Sequence, residues 1–530
     1  MATEALQTLA KRLYGEIQQE TITTPLQLHV RKRQLAEGLQ LHHLPTNPDL
    51  LPIVQQTCGV LTPEQQQLFS IKPIRNISGV AVLAAMVKPH LCPHGTCIYC
   101  PKGIHHPAPP AYTGDEPAAQ RGYRNDFDAF LQITSRIKQL QATGQSTEKC
   151  ELIIMGGTFL SMPEDYQYAF MQGCLDGISG EKHATLQESV AACETSPNRV
   201  IGITMETRPD VAKRSDIQRM LSWGSTRVEM GVQSVYDDVL EKLNRQHTVQ
   251  TTIDSTQRLK DSCLKVGYHM MSKLPYSTIE RDLAAHVKIF TNPAFRPDMV
   301  KFYPLAVVQS TGVYQMWKRG EYAEMSMEEA IQFYTKLKPQ IPEWVRVMRV
   351  QRDIPSQNIS AGVKKTNLRQ EVQRHMKELG IKCRCIRCRE VGVKHQLEGI
   401  WPEKVELVTR TYEASQGKEY FISAEDVEQD ILMGFIRLRI PHSPTLPELE
   451  ESAFIRELHV YGQSIPLGEM KDKSGQHKGW GKKLLAEAER VAKETHGLEK
   501  MNIIAGIGVR QYYKKLGYTQ NGAFVAKELH

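Results

Sequence analysis

The sequence predicts an α/β protein of several domains: a helical N-terminal region, a partial α/β barrel of parallel strands, a connector, and a second compact α/β domain. Three observations predict it. The chain has 530 residues, more than the roughly 250–300 at which single cores stop growing. From about residue 76 to 310, short apolar runs alternate with amphipathic stretches, the pattern of parallel βαβ units. Beyond residue 400, apolar runs lead to a glycine-bearing loop, Gln476-His477-Lys478-Gly479-Trp480-Gly481, that precedes a helical stretch.

The elements follow in order. Residues 1–75 are polar and helical, cut into short helices by Pro25, Pro45, Pro48, Pro52 and Pro63. Their basic residues Lys11, Arg12, Arg31, Lys32 and Arg33 form either a solvated face or an arm that contacts RNA phosphates. Residues 76–310 form the barrel, with strands expected at Val80–Val87, Glu151–Met155, Val200–Met205, Arg227–Val232, Lys265–Met270 and Met299–Pro304. Helices are expected between them, for example at Phe127–Gln141 and Ile253–Leu264. In such barrels the chemistry sits at the C-terminal ends of the strands. Residues 311–400 read as a connector carrying Cys383, Cys385 and Cys388. In residues 401–530, strands are expected at Ile431–Arg439, Ala453–Val460 and Met501–Ala505, with a helix at Gly481–Lys493.

Composition narrows the class. Apolar residues make up 41% of the chain, ordinary for a globular protein. No run of about 18 apolar residues occurs, so no membrane-spanning helix and no membrane partner are expected. The start, Met1 to Ala5, lacks a charged region followed by an apolar one, so no secretory signal is expected. The eleven cysteines are clustered and odd in number, which reads as metal chemistry in a reducing cytoplasm, not as a disulfide framework. A net charge of +7 is compatible with a nucleic-acid partner.

Cys92, Cys97 and Cys100 stand in one tight loop. Three thiolates there can hold three irons of a [4Fe-4S] cluster and leave the fourth open. A zinc half-site needs a second ligand pair at matching spacing, and His94 lies too close to Cys92 to supply it. The pattern resembles that of radical S-adenosylmethionine (SAM) enzymes, which implies SAM at the open iron. Gly156 and Gly157 end a strand and resemble the family's Gly-Gly-acid segment that binds the SAM amino group, with Thr158 in place of the acid. Glu206 and Arg208 end the next strand, where they can fix the ribose and carboxylate of SAM. Glu229 and Gln233 are polar groups in a buried-looking strand and need partners. His269 and Lys273 end a further strand; Lys301 and Tyr303 end the last and are the catalytic candidates at this mouth.

The loop Gln476, Lys478, Gly479, Gly481 resembles the pyrophosphate loop of acetyl-CoA-dependent N-acetyltransferases of the GNAT type. Glycines there let backbone N–H groups approach a pyrophosphate at a helix N-terminus. Downstream, Tyr512 and Tyr513 resemble an aromatic pair that lies along the CoA arm, near the thioester; core packing of both rings is the alternative. Glu457 and His459 are both candidates for a general base. The connector cysteines offer three soft ligands within six residues, which suits tetrahedral zinc or a second Fe–S cluster. His395 is the nearest histidine, and Lys382, Arg384, Arg387 and Arg389 suit a phosphate contact.

From about residue 70 onward the chain resembles the catalytic subunit of Elongator in its stand-alone prokaryotic or archaeal form. The resemblance rests on the cysteine loop, Tyr112-Thr113-Gly114-Asp115-Glu116-Pro117, His269-Met270-Met271 and Val350-Gln351-Arg352-Asp353-Ile354-Pro355. It rests also on Arg456-Glu457-Leu458-His459-Val460-Tyr461-Gly462 and Tyr512-Tyr513. It implies a radical SAM barrel followed by a GNAT-type domain, acting on the anticodon stem-loop of tRNA. The implied reaction takes hydrogen from the acetyl methyl of acetyl-CoA, joins that carbon to carbon five of the wobble uridine, and hydrolyses the thioester to leave a carboxymethyl group. A protein lysine (histone-type) acetyltransferase with a structural cluster is the alternative. A homodimer is compatible with the sequence; Elongator-like accessory subunits are left open.

Overall fold

The computed structural model describes residues 2–41, 43–59, 61–62, 65, 68–69, 79–101, 103–461 and 479–529. Three helices, Ala2–Gln18, Pro25–Gly38 and Asn47–Cys58, open the chain around their own core of Leu9, Leu13, Leu28, Leu50 and Val54. Thr24 and Thr46 cap the second and third, each with a proline in the first turn, where its missing N–H costs nothing. No helix among the described residues is long and apolar enough to cross a membrane.

Next comes an open sheet of seven parallel strands in the order β1-β2-β3-β4-β5-β6-β8. The strands are β1 (Val80–Met86), β2 (Lys149–Met155), β3 (Arg199–Thr207), β4 (Arg227–Gln233), β5 (Lys265–Ser272), β6 (Met299–Pro304) and β8 (Arg346–Arg349). A small pair, β7 (Val307–Val308) and β9 (Ile359–Ala361), stands beside it. The expected strands and helices fall within these elements or overlap them. The last strand lies inside the stretch read as a connector, so the sheet extends past residue 310. Its four residues, Arg-Val-Met-Arg, are too short and too charged to show a strand period in the sequence.

Side chains alternate across the strands, and the two faces differ in chemistry. Leu152, Ile154, Ile203, Met205, Val228, Met230, Val266, Tyr268, Val300 and Phe302 point outward into a core shared with Ile133, Leu175, Ile217 and Ile289 of the covering helices. The intervening residues, on the concave face, include Glu151, Thr204, Glu206, Arg227, Glu229, Lys265, His269, Lys301 and Tyr303. Several helices start from a side-chain cap; Asp128 accepts from Leu131 N at 2.8 Å, and Ser326 with Glu329 forms a capping box.

The C-terminal sheet has the order β10-β11-β12-β13-β14-β16-β15. Its strands are β10 (Glu406–Ala414), β11 (Gly417–Asp426), β12 (Ile431–Ile440), β13 (Ser452–Val460), β14 (Lys500–Ile503), β15 (Thr519–Asn521) and β16 (Phe524–Glu528). All pairs are antiparallel except β13–β14, which pair from Ser452/Lys500 to Ile455/Ile503. Beyond Ile455 β13 runs on to Val460 against β12. The helix expected at Gly481–Lys493 spans Trp480–Arg490 and continues as a wider π turn, Val491–Thr495.

This sheet docks on the N-terminal ends of the barrel strands. Leu446, Leu449, Phe454, Ile504, Ile507 and Phe524 join the core of the barrel's outer face. A buried charge network joins the two sheets as well. Arg456 donates to both carboxylate oxygens of Asp298 at 2.7 and 2.6 Å and to Glu419 at 2.8 Å. Arg439 donates to Asp261 and Glu419, and Lys260 lies 3.7 and 3.5 Å from Asp298 and Glu419. Close approach needs glycine at one point: a Cβ on Gly506 would lie 2.0 Å from the carbonyl oxygen of Ile201.

Candidate active site

The cysteine loop leaves the C-terminal end of β1 and is held by backbone contacts. Ile98 N–H donates to Leu243 O at 3.2 Å, Val313 N–H donates to Ile98 O at 3.0 Å, and Asn244 Nδ2 donates to Thr96 O at 2.8 Å. Each thiol has its own neighbour. Thr158 Oγ1 lies 3.7 Å from Cys92 Sγ, Arg245 Nη1 lies 3.5 Å from Cys97 Sγ, and Ala111 N–H donates to Cys100 Sγ at 3.0 Å. Burial pushes the Cys100 thiol up to about 11, with the Ala111 N–H opposing it. His94, whose Nε2 lies 3.2 Å from Cys97 Sγ, is lowered to about 4 by burial and by Arg208 and Arg245.

The residues fit an anionic cluster and a polar ligand. Three thiols converge beside two buried arginines. Arg208 Nη1, Thr207 Oγ1, Gln233 Oε1 and Ser234 Oγ at the adjoining strand ends are buried with no hydrogen-bond partner among the described residues. Buried polar atoms in folded proteins find partners, and a bound polar molecule supplies them. Gln233 also holds a left-handed backbone, φ 69°, a strain of the kind that clusters at ligand sites. Arg208 is aimed by Asp210 at 2.9 and 3.2 Å and by the carbonyl of Arg245 at 2.7 Å. Gly156 and Gly157 both carry positive φ, and a Cβ on Gly156 would lie 2.2 Å from Val87 Cγ2. The pair lets the loop after β2 pass beneath Val87 and Pro110.

Beneath this mouth the concave face carries one connected network. Lys301 Nζ bonds Glu229 Oε2 and lies 3.8 Å from Glu206. His269 Nε2 lies 3.0 Å from Glu229 Oε2, and Tyr112 OH donates to Glu206 Oε2 at 2.6 Å. Tyr303 packs edge-on against the His269 ring at 5.5 Å. Burial pushes Glu229 up, but Lys301, His269 and Arg227 outweigh it and hold the carboxyl well below the usual range. Burial and Lys301 lower His269, which keeps its ring neutral near pH 7. Glu206, Glu229 and His269 could themselves surround a metal ion, but the Lys301 ammonium already stands among them.

In the C-terminal sheet, Gly479 has φ 74° and no side chain caps the helix Trp480–Arg490. Among the described residues nothing lies within 4 Å of a Cβ built on Gly479, and a Cβ on Gly481 would lie 2.9 Å from Tyr512 Oη. This open, uncapped helix start beside splayed strands fits a pyrophosphate. Gln476 and Lys478 lie outside the described residues. The tyrosine pair stays together, rings edge-on at 5.2 Å: Tyr512 stands at the helix start, while Tyr513 is packed in the sheet's core. Glu457 accepts from Arg437 at 2.9 Å; burial raises it, but Arg437 and Lys265 outweigh this and keep it ionised. That is the setting of a held ion pair, not of a base tuned to neutral pH. His459 is lowered by burial and packs on Tyr461 at 4.3 Å.

The sulfurs of Cys383, Cys385 and Cys388 lie within 4.8 Å of one another, close enough to share one soft metal. Lys338 Nζ is 3.8 Å from Cys388 Sγ. His395 instead stacks on Trp401 at 4.3 Å. Arg384 and Arg389 are spent on Asp430, Glu343 and Glu425. Within the N-terminal basic cluster Arg31 pairs with Glu16 and buried Lys32 with Asn47 at 2.6 Å, while Lys11, Arg12 and Arg33, the last in a surface pair with Glu37, are exposed. Sequence reasoning missed Arg245, which has no local signal, and assigned no role to Tyr112 or Arg352. Arg352 donates to Ala111 O and stacks over Tyr112 at 5.3 Å.

Residues 86–286 match the radical SAM superfamily, residues 297–378 the radical SAM C-terminal domain, and residues 392–518 the GNAT acetyltransferase family. A Methanocaldococcus jannaschii protein named tRNA uridine(34) acetyltransferase is 47% identical over 506 residues, 93% of each chain. Elongator complex protein 3 of Schizosaccharomyces pombe is 40% identical over 100% of both chains, and its Homo sapiens namesake 44% identical over 86% of each. A solved structure of archaeal Methanocaldococcus infernus Elp3 with an N-terminal deletion is 44% identical, with a TM-score of 0.77, over 86% of this chain and 100% of that one.

Proposed function

Since this chain belongs to the family of tRNA uridine(34) acetyltransferases and Elongator complex protein 3, we propose that it installs a carboxymethyl group on carbon five of the wobble uridine of tRNA, using acetyl-CoA and SAM. The observation that carries the reading is the pairing of two sites on one docked frame. A three-thiol loop beside unpartnered buried polar atoms stands at the barrel mouth, and an open helix start stands in the second sheet.

Cys92, Cys97 and Cys100 hold the cluster. Arg208, Gln233, Glu206 and the Gly156-Gly157 turn hold SAM, their unpartnered polar atoms meeting its amino acid and ribose. When bound, the reduced cluster and SAM supply a carbon radical able to take hydrogen from an acetyl methyl group, as a bond to carbon five of uracil requires. Lys301 keeps Glu229 ionised, and neutral His269 and Tyr303 line the space below the mouth. Gly479 and Gly481, with their neighbours Gln476 and Lys478, take the pyrophosphate, and Tyr512 stands where the CoA arm leaves it. Cys383, Cys385 and Cys388 hold a structural zinc ion. Exposed Lys11, Arg12 and Arg33 are N-terminal residues open to RNA phosphates.

A lysine acetyltransferase would need a base, and the ionised, Arg437-bound Glu457 is poorly suited to that role. The test is anaerobic incubation of reconstituted protein with SAM, dithionite, methyl-labelled acetyl-CoA and bulk tRNA, then nucleoside mass spectrometry. Label on a uridine, lost in Cys97→Ala, supports the reading. Label on protein lysines that survives Cys97→Ala refutes it.

A further inference from the structure

The helix that carries Tyr512 is only five residues long, Arg510–Lys514, too short to hold its own shape in water. It is entered from a tight turn, Ile507–Val509, that is pressed onto the barrel. A Cβ on Gly506 would lie 2.0 Å from Ile201 O, and one on Gly508 would lie 2.6 Å from Arg199 Cβ, both near the start of β3. Ile507 joins the core of the barrel's outer face, whereas Tyr513 belongs to the core of the second sheet. The short helix therefore lies across the seam between the two domains.

One carboxylate on the barrel side grips it. Glu194 is the penultimate residue of the helix Leu186–Thr195, which packs on β3 and on the turn Ile507–Val509. Its Oε1 accepts from Arg510 Nη1 at 3.0 Å, and its Oε2 accepts from Gln511 Nε2 and Lys514 Nζ, each at 3.3 Å. In an α-helix, positions 510, 511 and 514 share one face and position 512 points away from it. On that other side Tyr512 Oη would lie 2.9 Å from a Cβ on Gly481. An exposed ion pair contributes little, but this pair is largely shielded. The Glu194 and Arg510 side chains are 17% and 9% exposed, and Arg510 has no other counter-charge among the described residues. Burial raises the pKa of Glu194, but the bonds from Arg510 and Lys514 outweigh it and keep the carboxyl ionised.

We infer that Glu194 is a positioning residue for the acetyl-CoA site. Held on the barrel, it fixes the rotation of the Arg510–Lys514 helix and so keeps Tyr512 against the open helix start at Gly479–Gly481. Glu194 faces away from that start and acts through Tyr512. Without it the Arg510 guanidinium is left buried and unpaired, which is costly. The short helix then turns to bring that charge to water and carries Tyr512 off the CoA arm. A side chain of the first domain thus completes the site of the second. The inference rests on the acetyl-CoA reading given above.

The test is a double-mutant cycle on the full chain, read as the Kd of acetyl-CoA by titration calorimetry. Glu194→Ala is expected to raise that Kd about tenfold when Tyr512 is present and by less than about twofold in a Tyr512→Ala background. SAM cleavage by the reconstituted protein should stay within about twofold of wild type. An equal loss in both backgrounds, or no loss in either, overturns the inference. So does a parallel fall in SAM cleavage, which would mean that Glu194 supports the barrel as a whole. Should Glu194→Ala not fold, Glu194→Gln, which keeps the shape and loses the charge, enters the same cycle with the same expectation. Hydrogen exchange supplies the second readout. In Glu194→Gln the amides of residues 511–516 should exchange about tenfold faster, with those of Trp480–Arg490 unchanged; unchanged exchange at 511–516 overturns the grip. A wild type that binds no acetyl-CoA would instead sink the proposed function, and the exchange result would still decide whether Glu194 holds the helix.

Discussion

Asp298→Asn tests whether the two sheets are locked by charge. Asp298 is fully buried, accepts from Arg456 at 2.7 and 2.6 Å and from Val266 N at 2.8 Å, and lies 3.7 Å from Lys260 and 3.8 Å from Arg437. Burial raises its pKa, but Arg456 and Lys260 outweigh this and hold it well below the usual carboxylate range. Lys260, Arg437, Arg439 and Arg456 balance Asp261, Asp298, Glu419 and Glu457 across the interface. The amide keeps the shape, removes one negative charge and turns a donor toward Arg456. Removing one partner of a buried pair costs about 3–5 kcal/mol. For a unit of this size that lowers the calorimetric Tm by roughly 3–5 °C. Adding Arg456→Met restores the balance of charge and should recover part of the loss, a coupling read from the double-mutant cycle. Because the folded pKa is depressed, the stabilisation is full above about pH 4 and is lost as pH falls further. The gap between wild type and variant therefore stays constant from pH 5 to 8. A variant melting within about 1 °C of wild type at pH 7, or a double variant no better than the single, would show the reasoning to be wrong.

Gly506→Ala drives a methyl group into the Ile201 carbonyl of β3; it should cost about 1–3 kcal/mol, and an unchanged denaturation midpoint would mean the interface yields freely. Asp282, which accepts from Leu274 N at 3.1 Å and Ser277 Oγ at 2.6 Å, is pushed up to about 6 by burial. A raised carboxyl favours the fold at low pH, so wild type should lose about 2–3 kcal/mol relative to Asp282→Asn as pH rises from about 4 to 7. Parallel urea midpoints of the two proteins over that range would contradict it. Tyr112→Phe removes the 2.6 Å bond to Glu206; losing a hydrogen bond to a charged group, about 1.5–3 kcal/mol, should slow SAM cleavage roughly tenfold or more, and cleavage at the wild-type rate would place Glu206 outside the SAM site.

The sequence by itself determined what depends on local pattern. Alternating apolar runs named the six strands from Val80 to Pro304, because strand period and β-branched composition are local properties. The spacing of Cys92, Cys97 and Cys100 named a cluster loop, because three ligands to one cluster must lie close along the chain. Polar residues at strand ends, such as Glu206, Arg208, Glu229 and Lys301, stood out against apolar neighbours. The tertiary structure decided whatever depends on which distant segments meet. It brought Arg245 to Cys97 and Tyr112 to Glu206 across 148 and 94 residues of chain. It drew Arg346–Arg349 into the barrel sheet, and it set Tyr512 at the helix start with its ring edge-on to Tyr513 in the core. It set Glu457 against Arg437, and paired Arg31 with Glu16 and Lys32 with Asn47. A charge in a sequence has no sign of its partner; burial and the opposite charge that packs against it fix whether it is a base, an anchor or a ligand contact, and those are set by the fold.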